Sequence, residues 1–300
     1  MSEFSWSPDP SSGISVRFIE ANGLRFELAE CGSGDRLALC LHGFPELNFS
    51  WRQQMPMLAA KGWRVWAPNM RGYGATSKPD GVRAYALDHL TNDVAALIDA
   101  SGAKEVMLVA HDWGAIVAWV FAIRRLRPIT RLVILNVPHP KVGEREIRKW
   151  RQFWKSWYIF FFQIPWLPER LLLRKNASPI RQILLGADLD IYTAAVQRPG
   201  AMTAMINYYR ALLRHRDSVD LGDARIDVPT LMIWGEEDVA LNIGCTEGTQ
   251  EWVADFTLHR LPGISHWVQI EAPEAVNSII GEWLDEEMGV AVDVDLEQYH

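Results

Sequence analysis

The sequence predicts an α/β fold: a mostly parallel central sheet with a helical segment inserted late in the chain. Three observations predict it. Short runs rich in Val, Leu and Ile recur with helical patterns between them, and one run, Val106 to Ile123, passes through a tight turn directly into an apolar helix. The strand rhythm then stops between Pro140 and Ala224 and returns at Pro229. Runs that are apolar on both faces suit strands covered by helices on each side, which is the situation of a parallel sheet.

Taken in order, the opening MSEFSWSPDPSSG carries Glu3, Asp9 and two prolines where a secretory leader needs a basic start and an apolar run. Residues 1–14 are therefore read as a disordered lead-in. Val16 to Glu20 and Leu24 to Ala29 flank Asn22-Gly23, a strong hairpin signal. Leu37 to Leu41, Arg64 to Ala67, Val106 to Ala110, Leu132 to Asn136 and Thr230 to Trp234 are the candidate parallel strands, with helices at Ala86 to Ser101 and Gly114 to Arg125. The stretch Val106 to Ile123 approaches the length of a membrane span, but His111, Asp112 and Gly114 at its middle would be costly in lipid, and strand, turn and helix account for it better. Residues 15–139 and 224–285 are expected to form the α/β core. Residues 140–223 would be a helical cap over the carboxyl ends of the strands, where open sheets bind ligands. Residues 286–300, alternating acidic and apolar, read as a loose tail.

Charge and cysteine content exclude some partners. With 30 Lys and Arg against 37 Asp and Glu, the net charge of −7 does not suit a phosphate polymer, so no nucleic acid is expected. A chain of 300 residues can bury a large core without staples. Its three cysteines, Cys31, Cys40 and Cys245, form no C-x-x-C, which indicates neither a disulfide framework nor a zinc ribbon and points to a reducing, cytoplasmic setting. Arg71 to Ser77, RGYGATS, lacks the third glycine of a dinucleotide loop. Neither a cofactor nor a metal is expected.

The sharpest chemical signal is Val109 to Ala115, VAHDWGA. Ala110 and Gly114 flank Asp112 at the spacing of the nucleophile elbow, G-x-S-x-G, with aspartate where serine is usual. The helix N-terminus there favours an ionised carboxylate. An aspartate in this place could serve only as a helix cap, but two further segments weigh against that. Asp238 follows a candidate strand in WGEED, and His266 lies on a later loop in GISHW, so nucleophile, acid and histidine come in the order α/β-hydrolases use. HGFPE follows the strand LALCL, at the loop that lends the backbone N–H of Phe44 to an oxyanion hole, with the N–H of Trp113 as its partner. His42 in that loop is read as a structural turn histidine, and His266 as the base.

Together HGFPE, RGYGATSKP, AHDWGA, NVPHP, WGEED and ISHWVQ resemble the epoxide hydrolase branch of the α/β-hydrolase fold, from Val16 to Leu284. The resemblance implies a nucleophile at Asp112, a charge pair of His266 and Asp238, and two cap tyrosines that hold the epoxide oxygen. Tyr158, five residues before Gln163 in WYIFFFQ, matches the first. NYYR matches the second and puts the functional tyrosine at Tyr209, with Tyr208 the neighbouring choice. Asn69, where relatives often carry Asp, and Ala110, in place of a frequent glycine, depart from the pattern without touching this chemistry. The implied reactants are a small apolar epoxide and water, joined through a covalent aspartyl ester to give a vicinal diol.

Two other functions compete. A haloalkane dehalogenase shares the Asp nucleophile and the Trp after it, but Phe44 stands where those relatives often carry a halide-binding Asn, and the paired tyrosines favour epoxides. Halide release measured beside diol formation separates the two. A non-catalytic small-ligand receptor on a hydrolase shell is disfavoured by the complete Asp112, His266 and Asp238 set, and a turnover assay tests it. Between Glu146 and Phe162, Ile147, Trp150, Trp154, Trp157, Tyr158 and Phe161 recur at helical spacing with Arg148, Lys149, Arg151 and Lys155 among them. This segment is read as a helix whose aromatic face roofs the pocket, in preference to a membrane-surface module.

Overall fold

The computed structural model describes residues 3–184 and 188–287. Among these, eight strands form one sheet: β1 (Ser15–Ala21), β2 (Leu24–Cys31), β3 (Arg36–Leu41), β4 (Arg64–Pro68), β5 (Glu105–His111), β6 (Arg131–Leu135), β7 (Thr230–Gly235) and β8 (Phe256–Leu261). Their spatial order is β1-β2-β4-β3-β5-β6-β7-β8. The β1–β2 and β2–β4 pairs are antiparallel, and every later pair is parallel. The hairpin turns at Asn22 and Gly23, whose φ values of 49° and 70° are the paired positive angles that a tight hairpin matched to strand twist requires. Strand β5 is buried from Val106 to His111 and lies between β3 and β6, so the apolar run becomes the sheet's covered centre. The edge strand β8 is not among the strands the sequence predicts. FTLHRL is only partly buried and offers no continuous apolar run, so its side chains carry little of the signal that marks the central strands.

Helices α1 (Gln54–Ala60), α2 (Leu87–Ser101) and α3 (Trp113–Ile123) follow β3, β4 and β5. α2 buries Leu90, Val94, Leu97 and Ile98 on one face and ends at Gly102 in the left-handed region, φ 64°. Between β6 and β7 the described residues hold seven helices and no strand: α4 (Pro140–Glu146), α5 (Trp150–Lys155), α6 (Trp157–Phe161), α7 (Leu167–Leu172), α8 (Arg174–Ile183), α9 (Leu189–Val196) and α10 (Ala201–Arg214). α11 (Val268–Glu271) and α12 (Pro273–Glu287) close the chain's described part.

The disordered lead-in expected over residues 1–14 is corrected for its described part. Trp6 is buried, donates its indole N–H to Asn48 Oδ1 at 2.8 Å and packs edge-on against Phe49. Ser5 donates its hydroxyl to Glu27 Oε2 at 2.7 Å. A tryptophan with both an apolar bed and a partner for its N–H anchors the segment, which composition alone does not reveal. Asn69 joins the same cluster, donating its amide to Glu27 Oε2 at 2.5 Å. An Asp there would instead oppose one carboxylate with another. The tail expected over 286–300 lies outside the described residues except for Glu286 and Glu287, which continue α12. All three cysteines are free and buried. No helix among the described residues is long and apolar enough to cross a membrane.

Candidate active site

Asp112 occupies the turn between β5 and α3 with φ 47° and ψ −119°, outside the regions that ordinary side chains favour. Such a conformation costs about 1–3 kcal/mol and persists only where neighbours enforce it. Two close approaches do so. A Cβ on Gly114 would overlap the Leu41 carbonyl oxygen, and one on Gly43 would overlap the Asp112 side chain, so glycine at both positions lets the β3 loop close on the turn.

That loop brings the Phe44 N–H to Asp112 Oδ1 at 2.7 Å. Trp113 opens α3, where main-chain N–H groups have no acceptor inside the helix. His42 is a buried structural residue. Its Nδ1–H donates to the Gly43 carbonyl and its Nε2 accepts from the Met70 N–H, both at 3.0 Å, and burial holds its pKa down at about 4.

His266, on the loop after β8, has Nε2 3.5 Å from Asp112 Oδ2 and donates Nδ1–H to Asp238 Oδ2 at 2.7 Å. Asp238 follows β7 and accepts from the N–H groups of Ala240 and Leu241 at 2.7 and 2.8 Å, and from the Asn136 amide at 2.7 Å. Burial opposes charge on all three groups. For His266 it is outweighed by Asp238 and Asp112 on its two sides, which raise its pKa well above the usual imidazole value. For Asp112 and Asp238 it is outweighed chiefly by His266, which holds both carboxyls below the usual range. Asp112, His266 and Asp238 thus stand in line, each favouring the charged form of its neighbour.

A cavity of about 350 Å³ opens onto this line and is walled by Asp112 and His266 below and by Tyr158, Phe161, Phe162 and Tyr209 from the inserted helices. The Tyr158 and Tyr209 rings meet edge to face at 5.8 Å, and Tyr209 packs likewise on Phe44 at 5.5 Å and Trp113 at 5.0 Å. Burial, followed by the Asp112 charge, raises both phenols above their usual pKa, so both remain hydrogen-bond donors at neutral pH. Tyr208 faces away. Its hydroxyl donates to the Arg71 carbonyl at 2.7 Å, and its ring packs on Tyr73 and Tyr85. The aromatic segment from Ile147 onward does not roof the cavity as a whole. Trp157, Tyr158 and Phe161 reach it, but Trp150 and Trp154 are 70% and 55% exposed.

A buried polar network beneath the line was not anticipated. Glu46 accepts from the Gly43 N–H at 2.9 Å, from the Gln269 amide at 2.8 Å and from His111 Nδ1 at 2.7 Å, while His111 Nε2 lies 2.9 Å from the His266 carbonyl oxygen. It ties the Phe44 loop to the His266 loop. Glu46, His111 and Gln269 stand inside HGFPE, AHDWGA and ISHWVQ, and Asn136 opens NVPHP. A signal was present in those motifs, since a charged or amide side chain beside a catalytic position must find partners if buried.

A strand, strained turn and helix with a histidine and acid arriving from later loops define an α/β-hydrolase with aspartate at the elbow, and a family model described as alpha/beta hydrolase fold matches residues 39–273. Epoxide hydrolase 4 of Homo sapiens is 36% identical over 93% of this chain and 81% of its own length. The AB hydrolase superfamily protein YfhM of Bacillus subtilis is 34% identical over 91% of this chain and 98% of its own. The crystal structure of Bacillus megaterium epoxide hydrolase in complex with an inhibitor superposes with a TM-score of 0.83 at 30% identity, covering 90% of this chain and all of that one. The chain belongs to the α/β-hydrolase fold and, within it, to the epoxide hydrolase family.

Proposed function

We propose that this protein hydrolyses epoxides to vicinal diols in two steps, through an ester on Asp112. The observation that carries the reading is the division of labour at one carboxylate. Asp112 Oδ1 is held by the Phe44 N–H, whereas Oδ2 stands beside His266, and the group shares its cavity with Tyr158 and Tyr209. Relatives named as epoxide hydrolases support the substrate class.

In the first step Asp112 Oδ2 attacks a ring carbon, the ring C–O bond breaks, and a tyrosine phenol gives its proton to the departing oxygen. An aspartate suits this attack because it needs no base to make it nucleophilic. Ester formation removes the Asp112 charge, one of the two that raise the His266 pKa, so that pKa falls and a proton carried by His266 can replace the one the tyrosine gave. Neutral His266, oriented by Asp238, then takes a proton from water as hydroxide adds to the ester carbon. The resulting oxyanion is stabilised by the N–H groups of Phe44 and Trp113. Its collapse expels the diol alkoxide, which takes the proton of the new carboxylic acid and restores both charges.

Replacing the base tests this order. His266→Gln should open one epoxide and stop, leaving on Asp112 an adduct of substrate mass in the intact-protein mass spectrum. Loss of turnover without an adduct would mean that histidine is needed for ring opening and would overturn the two-step assignment.

A further inference from the structure

Eleven large hydrophobic side chains are exposed among the described residues, and eight of them, from Ile147 to Trp166, fall on one stretch of the inserted helices. The rings pack on one another in two groups. Trp150 meets Trp154 at 5.1 Å, Phe153 meets Trp154 and Phe160 at 6.3 and 5.9 Å, and Trp157 meets Phe161 at 5.8 Å. An outward aromatic cluster of this size, left exposed among the described residues, marks a contact surface. The sequence around it reverses the molecule's charge: between residues 147 and 175 stand seven Lys and Arg against one acid, Glu169, in a chain of net charge −7. Glu169 is engaged by Arg210. Arg148, Arg151, Arg170, Arg174 and Lys175 are exposed and form no ion pair among the described residues.

We propose that the aromatic, basic outer face of α5 and α6 docks on an anionic lipid surface and turns the cavity mouth toward it. Exposed tryptophans beside Lys and Arg are the composition of an interfacial helix, with rings at the headgroup level and cations on anionic lipid. A second copy is the poorer occupant, because a symmetric dimer on this patch would set two basic faces against each other. The acidic remainder of the chain is repelled by the same surface, which fixes the orientation. Trp157 and Phe161 belong to both the patch and the cavity wall, so an apolar molecule dissolved in the lipid meets the cavity at the docked face.

Co-sedimentation of the full chain with phosphatidylcholine vesicles, with and without phosphatidylserine, tests this. The protein is expected to bind the serine-containing vesicles at low salt, at least about tenfold more tightly than phosphatidylcholine alone, and to be released at high salt. The paired substitutions Trp150→Ser with Trp154→Ser, and Arg148→Glu with Arg151→Glu, lie outside the cavity. Each should lower binding by about tenfold or more with the melting temperature unchanged. No binding to anionic vesicles at low salt, equal binding by either variant, or equal binding to neutral vesicles would overturn the proposal. So would self-association without vesicles that the tryptophan variant abolishes.

Discussion

His266 donates its Nδ1–H to Asp238 Oδ2 across 2.7 Å in a site where both side chains are buried. A buried ion pair of this kind makes stability depend on pH from both sides. The raised pKa of His266 contributes stability that is complete below its unfolded value and lost as pH rises through its folded value. The lowered pKa values of Asp238 and Asp112 contribute stability present above the unfolded carboxylate value and lost as pH falls through the folded ones.

The stabilisation that wild type holds over Asp238→Asn should therefore be greatest from mildly acidic to neutral pH and shrink toward both extremes. Thermal unfolding of the two proteins across pH measures it, and a difference independent of pH would show that the pair is not charged. On the proposed mechanism, in which Asp238 acts through the orientation and charge of His266, the same substitution should slow ester hydrolysis more than ester formation.

Tyr158→Phe and Tyr209→Phe should each slow ring opening by about tenfold to a hundredfold, since one hydrogen bond to a developing alkoxide contributes roughly 1.5–3 kcal/mol. Ester hydrolysis should change less, because on the proposed mechanism its oxyanion is held by the N–H groups of Phe44 and Trp113. Stopped-flow measurement of the alkylation phase separates the steps. A double Phe variant with wild-type alkylation would reduce both residues to packing in an aromatic wall.

Tyr208→Phe should behave differently. It leaves the Arg71 carbonyl without the donor now 2.7 Å away, at a cost of about 1–2 kcal/mol in folding stability, and should leave alkylation close to wild type. Alkylation lost in Tyr208→Phe and kept in Tyr209→Phe would exchange their assignments.

Local pattern carried the fold's centre and the site's outline to different depths. The runs at β3, β5, β6 and β7 are buried on both faces, so burial wrote itself into composition. β8 is half exposed and left no such mark. Asp112 was legible because an elbow demands small neighbours and a following helix, whereas the choice between Tyr208 and Tyr209 depends on which side of α10 faces the cavity, which adjacent tyrosines do not disclose. The Glu46 and His111 pair joins residues 65 positions apart, and Trp6 with Asn48 joins residues 42 apart. Such partnerships are set by the sheet's strand order. The outward turn of Trp150 and Trp154 is likewise tertiary, because helical spacing identifies an apolar face without saying what covers it.

On the proposed mechanism Asp112, not water, makes the first bond to substrate. A single turnover in heavy-oxygen water, with enzyme in excess of epoxide, tests it most directly. The first diol should carry an unlabelled oxygen taken from Asp112, and the solvent label should appear in the Asp112 peptide after digestion. Solvent label in the first-turnover diol, with none in that peptide, would contradict the ester mechanism and assign the attack to water.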